Sequence, residues 1–142
     1  MHTETATTIY RSMIQPLLTN CTFVTYGATA NYLKERTVSL ENRASKIIGE
    51  KVNSTDKIKV KRMCCFVHRC IYGKVCEPFQ KYFELKKKQT ARTPSAVNFL
   101  RFKLESARYS FYVQGAVAFN KLPPDYRSEK NESKFESFLK KF

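Results

Sequence analysis

The chain contains 142 residues, with 26 Lys and Arg against 12 Asp and Glu, and its formal net charge at pH 7 is +14. The length suits one domain, and an apolar fraction of 42% is too high for a disordered basic tail. No apolar run reaches the roughly 18 residues of a membrane span, and the N-terminal residues do not follow the pattern of a signal peptide. Five cysteines without such a signal indicate free thiols in a reducing, intracellular compartment, with nucleus and cytoplasm both open.

Most of the positive charge lies in the middle of the chain. Residues 51–108 contain 15 basic and 4 acidic side chains, a net charge of +11. A charge of this size attracts a polyanion, and a surface that follows nucleic-acid phosphates is the sharper interpretation. The alternative is a solvated face that keeps the protein soluble.

Apolar periodicity predicts three helices in the first part of the chain. The first covers residues 5–18, with Pro16 expected to kink or end it. In the second, residues at a seven-residue spacing predict the buried stripe, and the polar face includes Glu41. The members of that stripe are Leu33, Leu40 and Ile47, with Thr37, Ala44 and Ile48 filling it in, and Gly49 suits the position after the helix.

The third helix is predicted to begin after the capping residues 53–56 and to end at Gly73. Its expected buried stripe consists of Val60, Cys64, Val67 and Ile71.

The pattern changes in the second half. Residues 86–94 are basic and polar and end in Pro94, which predicts an exposed loop. Residues 97–102 and 109–113 are aromatic and β-branched, and we expect them to pair as a short hairpin. A short helix is predicted at 115–122, stopped by two prolines. A last helix, with a cap at Asn131 or Ser133, is indicated by the spacing of Phe135, Phe138, Leu139 and Phe142.

These elements together predict a mainly α-helical fold in a single domain over residues 1–142. It consists of thumb-like helices (1–85), a basic loop (86–94), and the aromatic β-hairpin with C-terminal helices (95–142).

The acidic residues argue against catalysis. The chain has two aspartates, Asp56 and Asp125, far apart in sequence. Two-metal phosphoryl transfer needs clustered carboxylates, and the four scattered glycines form no phosphate-binding loop. We therefore expect no catalytic residues, no cofactor and no small-molecule substrate.

Cysteines and a histidine crowd into the third predicted helix, at Cys64, Cys65, His68 and Cys70. Structural zinc sites usually take ligands from two separated pairs. We therefore expect the cysteines to pack in the core with no metal, leaving a zinc site and a redox role as alternatives. His68 is expected on the helix surface or half-buried rather than acting as a base.

Basic residues alternate with aromatic ones in the second half, as in residues 81–83, 101–103 and 108–112. Cations contact phosphates and exposed rings stack on unpaired bases, whereas the alternative interpretation places the rings in the core. The residues predicted to contact phosphate are Lys86, Lys87, Lys88, Arg92, Arg101, Lys103 and Arg108.

Five segments, in order, carry a resemblance to a known family. They are YRSMIQPLLTNC (10–21), LENRASKII (40–48), TART (90–93), ARYSFYVQGAVAFNKLP (107–123) and SKFESFLKK (133–141). This series resembles the thumb and C-terminal region of reverse transcriptases from LINE-like, non-LTR retrotransposons. In two places where that family usually has tryptophan, this chain has Tyr26 and Phe119.

The resemblance implies a piece of an RNA-directed DNA polymerase without the catalytic palm. Such a piece would be non-catalytic and would bind RNA or an RNA–DNA hybrid by its backbone. Two alternatives stay open: an inactive relic of a transposable element, and a domesticated interaction module whose aromatic C-terminus binds a helical partner.

Overall fold

The computed structural model describes residues 3–20, 29–86, 95–98 and 105–141, and these residues are mainly α-helical, as predicted. The chain divides into two compact units, Met1–Lys59 and Val60–Phe142. Each unit is described by itself, and the single domain over residues 1–142 stays a prediction. In the described part of the chain, no helix is both long and apolar enough to cross a membrane.

The first unit begins with a helical segment interrupted by one wide turn. Helix α1 (Thr3–Ile9) continues into a π-helical turn (Tyr10–Ile14) and then into α2 (Gln15–Thr19). Pro16 lies in the first turn of α2. Because proline has no N–H to donate to the preceding turn, a change of helical register just before it satisfies the backbone better than a regular α-turn.

Helix α3 (Asn31–Ile48) ends at Gly49, whose φ of +80° is the left-handed conformation that glycine adopts readily. Its buried face is only partly the predicted one. Ile48, a member of the predicted stripe, is buried, but Leu33, Leu40 and Ile47 are 40%, 50% and 70% exposed, and Glu41, expected on the polar face, is buried. The prediction of a buried Leu33–Leu40–Ile47 stripe is therefore wrong.

A hydrogen bond explains the burial of Glu41. Its carboxylate accepts bonds from the backbone N–H of Thr55, at 2.7 Å, and from the Thr55 hydroxyl. Thr55 is the first residue of helix α4 (Thr55–Ile71), where backbone N–H groups lack partners within the helix. A glutamate from α3 thus caps α4, and the core of this unit is small, comprising Ala6, Tyr10 and Ile48 among the described residues.

In the second unit, α4 supplies one side of a larger core. Cys64 and Val67 are buried as predicted, together with Met63, His68 and Cys70. Val60, by contrast, is 36% exposed. The helix is followed by Gly73 at a φ of +69°, in agreement with the predicted end.

The remaining elements are short helices, and the predicted hairpin is not confirmed. They are α5 (Glu77–Gln80), α6 (Glu105–Arg108), α7 (Phe111–Asn120), α8 (Pro124–Ser128) and α9 (Glu132–Lys141). Residues 111–113, predicted as strand, form the first turn of α7 because the hydroxyl of Ser110 caps the helix at the backbone N–H of Val113. Residues 99–102 of the other predicted strand lie outside the described residues.

Helix α9 agrees with its prediction. The side-chain oxygen of Asn131 accepts from the backbone N–H of Lys134 at 3.2 Å and so caps the helix. Phe135 and Leu139 are buried in the core, and Phe138 stacks on Tyr126 with ring centroids 4.7 Å apart. Phe142 lies outside the described residues.

Candidate nucleic-acid interface

Residues on either side of the basic segment 86–94 form a hydrogen-bonded pair of short segments. Leu85 and Val97 form an antiparallel bridge. The N–H of Lys86 donates to the carbonyl of Ala96 at 2.8 Å, and the N–H of Asn98 donates to the carbonyl of Glu84 at 2.7 Å. We call residues 84–86 and 96–98 the stem.

Helix α7 holds the stem through one side chain. Asn120 accepts from the N–H of Val97 at 2.8 Å and donates to the carbonyl of the same residue at 3.0 Å. An amide group has both a donor and an acceptor, so it can satisfy the two backbone groups that face away from the bridge. The stem is therefore bonded to residues of its own segment on one side and to a helix on the other.

Aromatic side chains of the core pack against the stem. Phe83, Ala96 and Val97 are at most 3% exposed, and Phe83 meets the rings of Phe111 and Tyr112 at centroid distances of 6.1 and 5.3 Å. Burial of this apolar surface fixes the start and end of the stem in the core of the second unit.

The structure describes two of the seven predicted phosphate contacts. Lys86 is half-buried in the stem, and Arg108 is exposed in the last turn of α6. The carbonyl of Arg108 accepts a hydrogen bond from the side chain of Gln114 at 3.2 Å, which ties α6 to α7. The other predicted contacts, Lys87, Lys88, Arg92, Arg101 and Lys103, lie outside the described residues.

Exposed rings occur next to basic residues in the same unit. Tyr82 is 57% exposed and follows the exposed Lys81, and Tyr109 is 46% exposed and follows Arg108. The rings of Tyr82 and Tyr112 lie 6.0 Å apart between centroids. The core interpretation therefore holds for Phe83, whereas Tyr82 and Tyr109 face solvent, as stacking on bases would require.

Two of the acidic groups are already engaged with cations. Glu132 binds Arg69 and, at 2.9 Å, Lys74, while Glu136 lies 3.4 Å from Arg69. These contacts lower the pKa of Glu132, so it is ionised at neutral pH. Arg69 and Lys74 are thus paired cations of the second unit and were not among the predicted phosphate contacts.

The buried cysteines of α4 are unreactive at neutral pH. Burial raises the pKa of Cys64 to about 12 and that of Cys70 to about 11, so both stay as thiols, the form that neither attacks nor ligates. In the described part of the chain, no three His, Cys, Asp or Glu side chains are grouped so as to hold a metal ion. The expected core packing of Cys64 is confirmed by its complete burial.

His68 is fully buried, so its expected half-exposed position is wrong. Its ring stacks on Phe135 at 4.3 Å, and its Nε2 donates to the carbonyl of Glu129 at 2.8 Å. Nδ1 has no hydrogen-bond partner within the described structure. Burial lowers the pKa of His68, and the bond to Glu129 opposes that shift.

Comparisons with protein families, curated proteins and solved structures find no match to this chain.

Proposed function

We propose that this chain is a non-catalytic piece of a retrotransposon-derived reverse transcriptase that binds RNA or an RNA–DNA hybrid through the phosphate backbone. The observation that carries the proposal is the stem. Its two sides, which precede and follow the lysine-rich segment in sequence, are hydrogen-bonded to each other, and Asn120 bonds one of them to α7.

A stem held in one conformation favours binding by the cations attached to it. Cations on a freely moving tail lose conformational entropy when they are ordered on a ligand, whereas cations on a fixed base lose less. The stem itself contains Lys86, and the sequence between its two sides adds Lys87, Lys88 and Arg92. Several cations close together in the sequence favour contact with successive phosphates.

The exposed tyrosines supply a second type of contact. Tyr82 and Tyr109, beside Lys81 and Arg108, offer ring faces to unpaired bases at the edge of a backbone-binding surface. Neither cations nor stacked rings read base edges, so we expect little sequence preference.

The family origin rests on the resemblance, and packing explains why its longest motif has these residues. In residues 107–123, Ser110 caps α7, Ala116 and Phe119 are fully buried, and Asn120 bonds to the stem. These are structural roles, and none of them supplies a carboxylate pair for nucleotidyl transfer. The proposed activity is therefore binding without copying, in a reducing intracellular compartment.

A titration tests the proposal. Fluorescence anisotropy of a labelled RNA–DNA hybrid is measured with the full chain at 50 and 200 mM salt. If about six phosphates are contacted, the affinity falls roughly a thousandfold between these concentrations. A folded protein that leaves the anisotropy unchanged at 50 mM salt contradicts the proposal and favours an interaction module or an inactive relic.

A further inference from the structure

The first unit contains a small polar cavity that no sequence motif indicated. It has a volume of about 100 Å³ and lies between the π-helical turn and the segment that follows α3. The polar side chains around it are those of Thr7, Tyr10, Arg11, Gln15, Glu50, Lys51 and Asn53.

Apart from the Thr7 hydroxyl, which donates to the carbonyl of Thr3 at 2.9 Å, most polar groups of this cavity are not used by the fold. Arg11, Gln15, Lys51 and Asn53 form no side-chain hydrogen bond or ion pair within the part of the chain that the structure describes. Tyr10 is only 4% exposed, yet its hydroxyl also has no partner there. A hydroxyl that has no partner in the protein and faces the cavity can donate to a ligand there.

The π-helical turn is what brings these groups together. Tyr10 and Arg11 are its first two residues, and the buried Tyr10 packs with Ile48 at the end of α3. Lys51 and Asn53 then follow Gly49, where the chain leaves the helix in a left-handed conformation. Wide turns of this kind occur frequently at functional sites, because they displace side chains from regular helical positions.

We propose that this cavity binds a phosphate group. Arg11 and Lys51 supply positive charge, Gln15 and Asn53 supply amide N–H groups, and Tyr10 supplies a hydroxyl. All of these are donors to a tetrahedral oxyanion, and Glu50 leaves the group of charged side chains with a net charge of +1. Burial and the nearby Glu41 raise the pKa of Tyr10, so the phenol stays protonated and can donate.

The size of the cavity limits the ligand. Pockets for drug-sized molecules have volumes of about 300–1,000 Å³, so a cavity of about 100 Å³ accommodates a phosphate and leaves an attached base or sugar outside. Building on the proposed function, we assign the phosphate to the backbone of the bound nucleic acid, as a contact separate from the lysine-rich segment. Free inorganic phosphate is the other source of the same chemistry.

The test combines two titrations of the full chain. In the first, inorganic phosphate is added to ¹⁵N-labelled protein, with chloride at matched ionic strength as the reference. We expect saturable shifts of the Arg11 and Lys51 amides and of the Gln15 and Asn53 side chains. The double variant Arg11→Gln/Lys51→Gln should lose these shifts. The matched control Arg43→Gln/Lys46→Gln, which removes an exposed arginine and an exposed lysine from α3, should keep them.

A conservative variant separates ligand binding from folding. Tyr10→Phe keeps the ring in the core and removes only the hydroxyl, and we expect phosphate binding to weaken about fivefold, the effect of one hydrogen bond. Absence of saturable shifts in the folded wild-type protein overturns the phosphate site, whatever the hybrid does.

The second titration identifies the source of the phosphate. If the site contacts nucleic acid, the double variant lowers the salt slope for hybrid binding by about 0.9, the value for one phosphate, and the control does not. Saturable phosphate shifts with an unchanged slope support the site with free phosphate as its ligand and overturn the backbone assignment. Phosphate binding without any hybrid binding supports the site and contradicts the proposed function.

Discussion

Asn120 and Val97 form a two-point contact in which the Asn120 side chain bonds to both backbone polar groups of Val97, at 2.8 and 3.0 Å. A neighbouring strand would normally provide such a pair of bonds, and here a helix provides it. Because Val97 also bridges to Leu85, this one amide side chain connects the stem to α7.

Replacing this amide should therefore loosen the stem. Asn120→Ala leaves the N–H and carbonyl of Val97 unpaired beneath a fully buried side chain, and we expect a loss of about 1–3 kcal/mol in the free energy of unfolding. Urea denaturation measures the loss, and hydrogen exchange should show a less protected Val97 amide. The matched control Asn98→Ala removes an exposed amide from the same stem and should change stability by less than about 0.5 kcal/mol. Equal effects of the two variants would contradict the assigned role.

Gly115 lies in α7 where the helix approaches α4 closely. A Cβ at this position would lie 3.1 Å from a methyl group of Val67 and 3.4 Å from the ring of Phe83. Alanine gains about 1 kcal/mol in helix propensity, but overpacking costs about 1–3 kcal/mol, and both neighbours are buried and unable to move freely. We expect Gly115→Ala to be net destabilising in thermal unfolding.

A double variant checks the cause of that loss. Val67→Ala removes the methyl group that the new Cβ would meet, so Gly115→Ala should be less harmful in the Val67→Ala background than in the wild type. Strictly additive effects would show that the close contact does not limit this position.

The cap that Glu41 provides for α4 makes a third prediction. Glu41→Ala removes the acceptor of both Thr55 bonds, and we expect a loss of about 1–3 kcal/mol in the free energy of unfolding. Glu35→Ala, at an exposed position of the same helix, serves as the control and should change stability little. If the exposed and the buried glutamate tolerate alanine equally well, the cap is unimportant.

Burial of His68 predicts a pH dependence of stability. Because its pKa in the folded protein is below the ordinary value of about 6.5, the unfolded chain binds the proton more readily. As the pH falls, the unfolded chain is protonated at His68 before the folded protein is. The free energy of unfolding should therefore decrease as the pH falls from 7.5 to 5.5. The lowered pKa of Glu132 acts only at more acidic pH.

The variant His68→Gln keeps an N–H that can donate to the carbonyl of Glu129 and does not titrate. Urea denaturation at pH 7.5, 6.5 and 5.5 should therefore give a flatter dependence for His68→Gln than for the wild type. The same dependence in both proteins would show that another group titrates.

The sequence predicts helices better than it predicts their buried faces. The mainly helical fold and the ends of helices at Gly49 and Gly73 followed from periodicity and from glycine preferences. The buried face of α3 could not be predicted in this way, because Glu41 is buried by its hydrogen bond to Thr55, a residue of the next helix. A contact between residues 14 positions apart leaves no periodic signal in either helix.

Local composition was also misleading at residues 109–113. Aromatic and β-branched residues are typical of strands, but the cap at Ser110 and the close approach at Gly115 favour a helix packed on α4. Similarly, a single histidine in a basic helix gave no reason to expect burial, since the stacking partner Phe135 and the acceptor Glu129 come from the far end of the chain.

The most direct test of the central claim is the salt dependence of hybrid binding in two matched triple variants. Lys86→Gln, Lys87→Gln and Lys88→Gln together should lower the slope of log affinity against log salt by about 2.7, the value for three phosphates. Lys130→Gln, Lys134→Gln and Lys140→Gln remove the same charge from exposed positions near α9 and should lower it by less than about 0.9. Equal slopes for the two triple variants would contradict binding through the lysine-rich segment.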